Sequence, residues 1–277
     1  MAAKTILNYI PKKSFIHELS GTTKLIVFLL LSAVSMYTFD IRVLLALLLF
    51  SLLCFKASKI KIKEIAFMAT FILVYSAINS IFLFLFNPNY GPTLYNSRTV
   101  LLHLFGNYDI TVEQLFYQLN VVSKYIIALP LAIMFISTTN PSELAASLNS
   151  IGIPYKISYA VSLALRYIPD IQKDYHDISQ SQQARGVMLG KDVKLLTRLK
   201  NAISIVLPLI LVSINRIDTI SNAMDLRCFG KNSKRTWYMK KKFTKYDYLS
   251  LAFCIIFSII CIAVTCSNGS RFYNPFN

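Results

Sequence analysis

QSQQARGVMLG at 180–190 and NAMDLRCFGK at 222–231 are the two most informative segments of this chain, because each places an arginine beside a helix-stopping signal after a long helical pattern. In each pattern, apolar residues recur at intervals of three and four, which puts them on one helix face. The first stripe comprises Ile157, Val161, Ala164, Ile168, Ile171, Tyr175 and Ile178, and the second comprises Ile210, Ile217, Ile220 and Met224, with Ser213 filling one position. The same spacing continues through Gln182 to Arg185 in the first, and from Met224 to Arg227 in the second. The sequence therefore predicts two long helices, each ending in an arginine that extends its apolar stripe.

Composition indicates a membrane protein. The 277 residues are 55% hydrophobic and 15% charged, and the mean hydropathy is +0.52, unlike an ordinary soluble domain. A formal net charge of +16 would suit a nucleic-acid partner, but Lys and Arg gather between the apolar runs, as in the cytoplasmic loops of membrane proteins. We therefore expect an all-α polytopic protein that crosses the lipid bilayer several times and has no nucleic-acid partner.

Five apolar runs predict about five transmembrane helices. They cover residues 25–39, 43–55, 65–86, 119–137 and 248–266. The first two runs are parted by Asp40-Ile41-Arg42, and joined they would be too long for one crossing of a hydrocarbon core about 30 Å thick, so a helical hairpin is expected. Lys124 stands near the predicted outer end of the fourth run, where we expect its side chain to snorkel, and Pro130 predicts a kink.

Lysine and arginine also predict the orientation. They cluster at 56–63 and 231–245 and are scarce at 87–118, which places the N-terminus inside and the C-terminus outside. The same rule puts residues 139–246 in the cytoplasm. There, the 12-residue apolar stretch 203–214 is too short to span a bilayer, so we expect it to lie against other helices at the membrane surface. The predicted domains are N-terminal membrane helices at 1–138, cytoplasmic helices at 139–246 and a C-terminal membrane helix at 247–277.

The inventory of reactive side chains argues against catalysis. Three histidines lie in separate segments without a recognised catalytic signature, and His176 is interpreted as part of a solvated polar face. The segment 186–192 resembles a phosphate-binding loop, but it is one residue short between its glycines and lacks Ser or Thr after Lys191. Four of the five cysteines are expected to be small core residues, and Cys228 has no partner at ligand spacing. We therefore expect no catalytic residue, no metal and no cofactor.

Two interpretations of the paired arginines remain open on these grounds. Arginine near a helix C-terminus complements the helix macrodipole, and a glycine just after it is an ordinary helix stop. Alternatively, two such ends in one basic region bind acidic protein surfaces. Arginine suits that task because its planar guanidinium can grip a carboxylate with two hydrogen bonds and stays charged when partly desolvated.

At these residues the chain resembles the transmembrane (T) component of energy-coupling-factor (ECF) importers, the ABC-type systems for vitamins and transition-metal ions. The resemblance rests on Ala184-Arg185-Gly186 and a similar site at Leu226-Arg227-Cys228, with support from Pro141-Ser142-Glu143-Leu144, Gly152-Ile153-Pro154 and Leu165-Arg166-Tyr167-Ile168-Pro169. The second site departs from the family pattern, because Leu226 replaces alanine and Cys228 replaces glycine. Glycine permits backbone conformations that cysteine does not.

The resemblance implies a non-catalytic role. It implies a multi-pass component of a prokaryotic plasma membrane whose cytoplasmic coupling helices dock on two ABC ATPase subunits, with Arg185 on one and Arg227 on the other. The ATPases hydrolyse ATP. A separate substrate-binding integral membrane subunit packs on the coupling helices and determines which vitamin or metal ion is imported. The implied ATPase-coupling residues are Ala184, Arg185, Gly186, Leu226, Arg227 and Cys228.

A second hypothesis is a polytopic membrane enzyme acting on a lipid or isoprenoid. Polar residues such as Asn79, His103 and Lys124 would then lie near its site. The sequence lacks an acidic metal-binding cluster, which argues against this hypothesis. Co-purification with two ATPases would separate the two functions.

Overall fold

The computed structural model describes residues 14–59, 62–105, 108–188, 195–232, 236–268 and 270–276. Within these ranges the chain forms ten helices and one antiparallel β-hairpin. The elements are α1 (Phe15–Glu18), α2 (Gly21–Tyr37), α3 (Ile41–Ala57), α4 (Ile62–Phe86), α5 (Tyr90–Tyr95), β1 (Val100–Phe105), β2 (Tyr108–Thr111), α6 (Val112–Thr138), α7 (Pro141–Ser150), α8 (Tyr155–Ala184), α9 (Leu195–Leu226) and α10 (Lys245–Ser267). This architecture confirms the predicted all-α fold class.

Four helical segments within the described ranges are long and apolar enough to cross a membrane. They are Ala69–Phe86, Val112–Thr138, Leu199–Leu226 and Lys245–Ser267, and α2 is a shorter apolar helix. These helices confirm a polytopic membrane protein of about five spans. The expectation that the apolar stretch 203–214 is too short to span a bilayer was wrong about length. This stretch lies inside the continuous helix α9, whose residues 199–226 reach the length of a span. Length therefore does not exclude α9 from the bilayer.

The chain divides into two compact units, which we name the bundle unit and the hairpin unit. The bundle unit contains α1–α6, the β-hairpin and α10, and the hairpin unit contains α7–α9. In the bundle unit α2 and α3 are separate helices, as the sequence predicts. Asp40 begins α3, because its Oδ1 accepts a hydrogen bond from the Arg42 backbone N–H at 3.0 Å and its Oδ2 pairs with the Arg42 guanidinium at 2.9 Å.

Close contact between helices holds the bundle unit together. Leu31, Leu44 and Ile127 are completely buried at its centre. Between lipid-embedded helices, association comes mainly from packing and hydrogen bonds, because lipid tails are as apolar as leucine. One such bond joins α10 to the end of α2, where the hydroxyls of Thr38 and Thr265 lie 2.8 Å apart.

The cysteines follow their predicted role with one exception. Cys254 and Cys261 are buried in the core of the bundle unit, and Cys54 is half-buried. Cys266 is exposed, so the prediction that it is a core residue was wrong. It lies in the last turn of α10, next to Thr265, whose side chain is the one turned inward, toward Thr38.

Lys124 does not snorkel, which corrects the sequence prediction. Helix α6 begins at Val112 and not near 119, so this lysine lies well inside the helix. Its side chain is buried, its Nζ donates to the Met36 carbonyl oxygen at 2.9 Å, and it lies 3.1 Å from the centroid of the Phe39 ring. The ammonium thus satisfies a carbonyl at the C-terminus of α2, where the helix dipole is negative. Pro130 lies within α6, which continues on both sides of it.

The segment before α6 contains a β-hairpin, for which the sequence analysis made no prediction. The β-hairpin pairs Val100 with Thr111 and His103 with Asp109. Glu113 attaches this segment to α6. Its side chain is buried, and its carboxylate accepts hydrogen bonds from the backbone N–H and the hydroxyl of Thr99. A buried carboxylate is tolerated only when it is bonded in this way.

Candidate functional site

Helix α8 ends at Ala184, and Arg185 is its C-cap residue. The Gly186 N–H donates to the Gln183 carbonyl at 2.9 Å, and the Val187 N–H donates to the Gln182 carbonyl at 3.0 Å. Gly186 has a φ of +88°, in the left-handed region. This pair of bonds with a left-handed residue after the cap is a Schellman motif, which satisfies the last carbonyls of the helix.

Helix α9 ends in the same way at the second arginine. The Cys228 N–H donates to the Asp225 carbonyl at 2.9 Å, and the Phe229 N–H donates to the Met224 carbonyl at 3.0 Å. Arg227 therefore occupies the position that Arg185 occupies in α8. Cys228 takes the left-handed conformation that glycine would favour, with a φ of +53°. For a residue with a Cβ this conformation costs about 1–2 kcal/mol.

The two arginine ends are both exposed. Arg185 and Arg227 are exposed, as are Ala184 and Cys228, and Leu226 is 86% exposed. Arginine is enriched in protein interfaces and among the residues that contribute most to binding, and the exposed leucine adds apolar area beside it. The six predicted residues thus form two short surface motifs with equal backbone geometry.

An ion pair fixes the contact between α8 and α9. Arg216 Nη2 in α9 donates to Asp174 Oδ2 in α8 at 2.7 Å, and both side chains are partly buried. A second contact lies further along, where Asn201 Nδ2 donates to the Met188 carbonyl at 2.8 Å. Asp174 in α8 thus lies beside Arg216, whereas Met188, which follows α8, lies beside Asn201 near the start of α9. The two helices therefore run in opposite directions.

This arrangement places the arginines at opposite ends of the helix pair. Arg185 follows Asp174 by eleven residues, and Arg227 follows Arg216 by the same number. At about 1.5 Å of rise per residue, each arginine lies about 16 Å from the ion pair, in opposite directions. The two motifs are therefore about 33 Å apart, at opposite ends of the helix pair.

An aromatic cluster holds the second motif, and the sequence analysis did not predict that these rings pack together. The Phe229 ring lies 4.7 Å from that of Tyr159 and 5.4 Å from that of Tyr155, at the start of α8. Trp237 packs on Tyr155 at 5.7 Å, and its Nε1 donates to Asn149 Oδ1 at 3.1 Å. Tyr155 and Tyr159 are four residues apart on one helix face, and Trp237 is the only tryptophan in the chain, which are signals that could have marked them.

The structure separates the residues considered for catalysis. His176 is exposed and its Nε2 lies 3.0 Å from Gln180 Nε2, which agrees with a solvated polar face, while its neighbour Asp174 pairs with Arg216. Among the described residues, no group of three or more His, Cys, Asp or Glu side chains could hold a metal ion. Most of the segment that resembles a phosphate-binding loop, from 189 onward, lies outside the described residues.

These features define a class: an all-helical, multi-pass membrane protein that presents two exposed arginine-ended helices. Comparison with known proteins identifies the family. The CbiQ family, described as "Cobalt transport protein", matches residues 12–238, and the chain belongs to this family.

Two curated relatives carry the same name. The energy-coupling factor transporter transmembrane protein EcfT of Lactococcus lactis is 27% identical over 262 residues, which cover 92% of this chain and 95% of the relative. The protein of the same name from Clostridium kluyveri is 24% identical over 277 residues, with 94% and 95% covered. The resemblance to the T component of ECF transporters is confirmed.

Proposed function

We propose that this protein couples ATP hydrolysis by two separate ATPase subunits to movement of a substrate-binding membrane subunit, in the uptake of a vitamin or metal ion. The observation that carries the proposal is the pair of equivalent, exposed Schellman ends about 33 Å apart. In this proposal residues 139–246 form the cytoplasmic coupling region. Arg185 with Ala184 and Gly186 docks on one ATPase, and Arg227 with Leu226 and Cys228 docks on the other.

The backbone geometry supports a docking role. A Schellman motif closes the helix end with its own hydrogen bonds, so the C-cap arginine starts from a fixed backbone and loses little further freedom on binding. A rigid helix also transmits displacement. Helix α9 has 32 residues and is therefore about 48 Å long, so a push on Arg227 reaches residues far from the docking surface.

The apolar stripes support a second partner in the membrane. Ile157 in α8 and Ile210 and Ile217 in α9 lie on the predicted stripes, and each is more than half exposed. An apolar surface of this extent on two adjacent helices favours contact with lipid or with another membrane protein. In the proposal the substrate-binding subunit occupies it.

Alanine substitution of the two arginines tests the function. Truncating one member of a partly buried interfacial charge pair costs about 2–5 kcal/mol, so Arg185→Ala or Arg227→Ala should each weaken ATPase association and leave some through the other site. The double variant should release both ATPases and abolish uptake. Lysine should rescue poorly because it cannot form the bidentate pair.

The readouts are pull-down of both ATPases and substrate uptake at matched expression. Lys173→Ala, an exposed charge on α8, is the control and should behave as wild type. If the double alanine variant assembled and transported normally, the arginines would be ordinary helix-end residues and the proposal would fail.

The enzyme hypothesis receives no support from the site geometry. His103 bonds to Asp109 in the β-hairpin, and Lys124 bonds to the Met36 carbonyl inside the bundle unit. His103 and Lys124 therefore have separate structural partners.

A further inference from the structure

A mainly apolar groove of about 680 Å³ lies in the bundle unit between α1, α2, α3 and α10. Its lining includes Ile16 from α1, Leu53 and Cys54 from α3, and Leu249 and Phe253 from α10. Leu53 is 65% exposed and Leu249 is 69% exposed, so the groove opens toward the outside of the bundle. Its volume lies within the range of about 300–1,000 Å³ that is usual for sites of small amphipathic ligands.

Exposed lysines stand at one end of the groove. Lys245 precedes Leu249 by four residues, so it lies on the same face of α10, one turn closer to the helix start. Lys56 follows Leu53 by three residues, on the same face of α3 at the helix end. The start of α10 and the end of α3 thus bring two exposed ammonium groups to one end of a mainly apolar groove, whose lining also contains the buried Lys24, bonded to the carbonyls of His17 and Thr138.

The α1 wall adds a third ammonium and marks a membrane interface. Lys241 Nζ donates to the His17 carbonyl oxygen at 3.0 Å. Glu18 is an exposed acid on the same short helix, so positive charge remains in excess at this end. Phe15 packs edge-to-face on Tyr246 at 5.7 Å, and both rings are more than half exposed. Tyrosine, with an apolar ring and a polar hydroxyl, is enriched where a membrane meets water, so Tyr246 marks that level.

We propose that this groove binds one acyl chain of an anionic phospholipid, whose phosphate group lies against Lys56, Lys241 and Lys245. The apolar walls match the chain, and the lysines match a net negative headgroup at the level of the interfacial aromatics. A zwitterionic lipid would fill the groove but gain less at the lysines, because its headgroup carries no net charge. Attraction of anionic lipid by basic residues near the surface is worth about fivefold in binding for each lysine.

Lipid competition on the full-length protein tests the proposal. The purified chain is exposed to equal amounts of dioleoyl phosphatidylglycerol and dioleoyl phosphatidylcholine, and retained lipid is counted by native mass spectrometry. Wild type should retain the phosphatidylglycerol preferentially. Lys56→Gln with Lys245→Gln should lower that preference by about 25-fold, whereas Lys56→Arg with Lys245→Arg should keep it.

Two further variants make the test specific to this groove. Lys173→Gln with Lys200→Gln removes two exposed charges from the hairpin unit and should leave the preference unchanged. Ala252 is an exposed residue that lines the groove, so Ala252→Trp should fill part of it and reduce retention of both lipids. Equal retention of the two lipids by wild type would overturn the proposal. So would a glutamine variant that matches the lysine control, or full retention by Ala252→Trp.

Discussion

Cys228→Gly should strengthen the helix end that carries Arg227. Cys228 has a φ of +53° and an exposed side chain, so glycine relieves backbone strain without removing buried contacts. The strain is about 1–2 kcal/mol, and the greater freedom of glycine in the unfolded chain offsets about 0.5–1 kcal/mol of it. The net stabilisation of the turn should therefore be about 0.5–1 kcal/mol.

Amide hydrogen exchange measures this stabilisation at the turn itself. The Phe229 amide closes the turn by donating to the Met224 carbonyl, so its exchange reports opening of the motif. A change of 0.5–1 kcal/mol corresponds to exchange that is about two- to fivefold slower, after correction for intrinsic rates. ATPase association should be retained, since Arg227 keeps its position.

The reciprocal change at the first motif is the matched control. Gly186 has a φ of +88°, and a Cβ there would meet no heavy atom within 4 Å, so the cost of Gly186→Cys is one of backbone conformation alone. Exchange of the Val187 amide should become about two- to fivefold faster. If Gly186→Cys accelerated exchange while Cys228→Gly left the Phe229 amide unchanged, the reasoning about strain at Cys228 would be refuted.

Three further predictions concern orientation, the ion pair and acid stability. A cysteine introduced at Asn232 should resist an impermeant thiol reagent added outside intact cells, because the lysine-rich segment is predicted to be cytoplasmic, and labelling would reverse that topology. Asp174→Asn and Arg216→Gln should show a coupling of about 1 kcal/mol in a double-mutant cycle of thermal stability, and additive effects would show that the pair contributes nothing. Burial raises the pKa of Asp40, but hydrogen bonds from Arg42 and Asn268 together lower it by more and hold the pKa below its usual value. The stability contributed by Asp40 is therefore present above its unfolded pKa of about 3.9 and is lost as pH falls through the lower folded value; Asp40→Asn should remove that acid-dependent loss in thermal melts.

Local helix signals in the sequence were enough to predict most of the fold. Pro141 begins α7, Gly152 and Pro154 separate it from α8, and both arginines stand at helix ends. These features depend on residues within one or two turns of each other, so periodicity and stop signals suffice to predict them. The apolar runs likewise predict a multi-pass protein, because the requirement to satisfy every backbone group in lipid leaves helices as the available form for such runs.

Residues far apart in sequence account for what was missed. The burial of Lys124 depends on a carbonyl of Met36, 88 positions away, and no local pattern marks that contact. The 12-residue apolar stretch 203–214 understated the apolar length of α9, because residues 199–226 together are long and apolar enough to cross a membrane.

For the site, the sequence alone determined which residues end the two helices and that both ends carry arginine. Only the tertiary structure decided that the ends point in opposite directions, because this follows from the contact of Asp174 with Arg216 and of Asn201 with Met188. It also decided that Cys228 adopts the conformation expected of glycine, since the hydrogen bonds that close the turn hold the backbone there. Helix ends follow from local chemistry, whereas their separation follows from packing between helices.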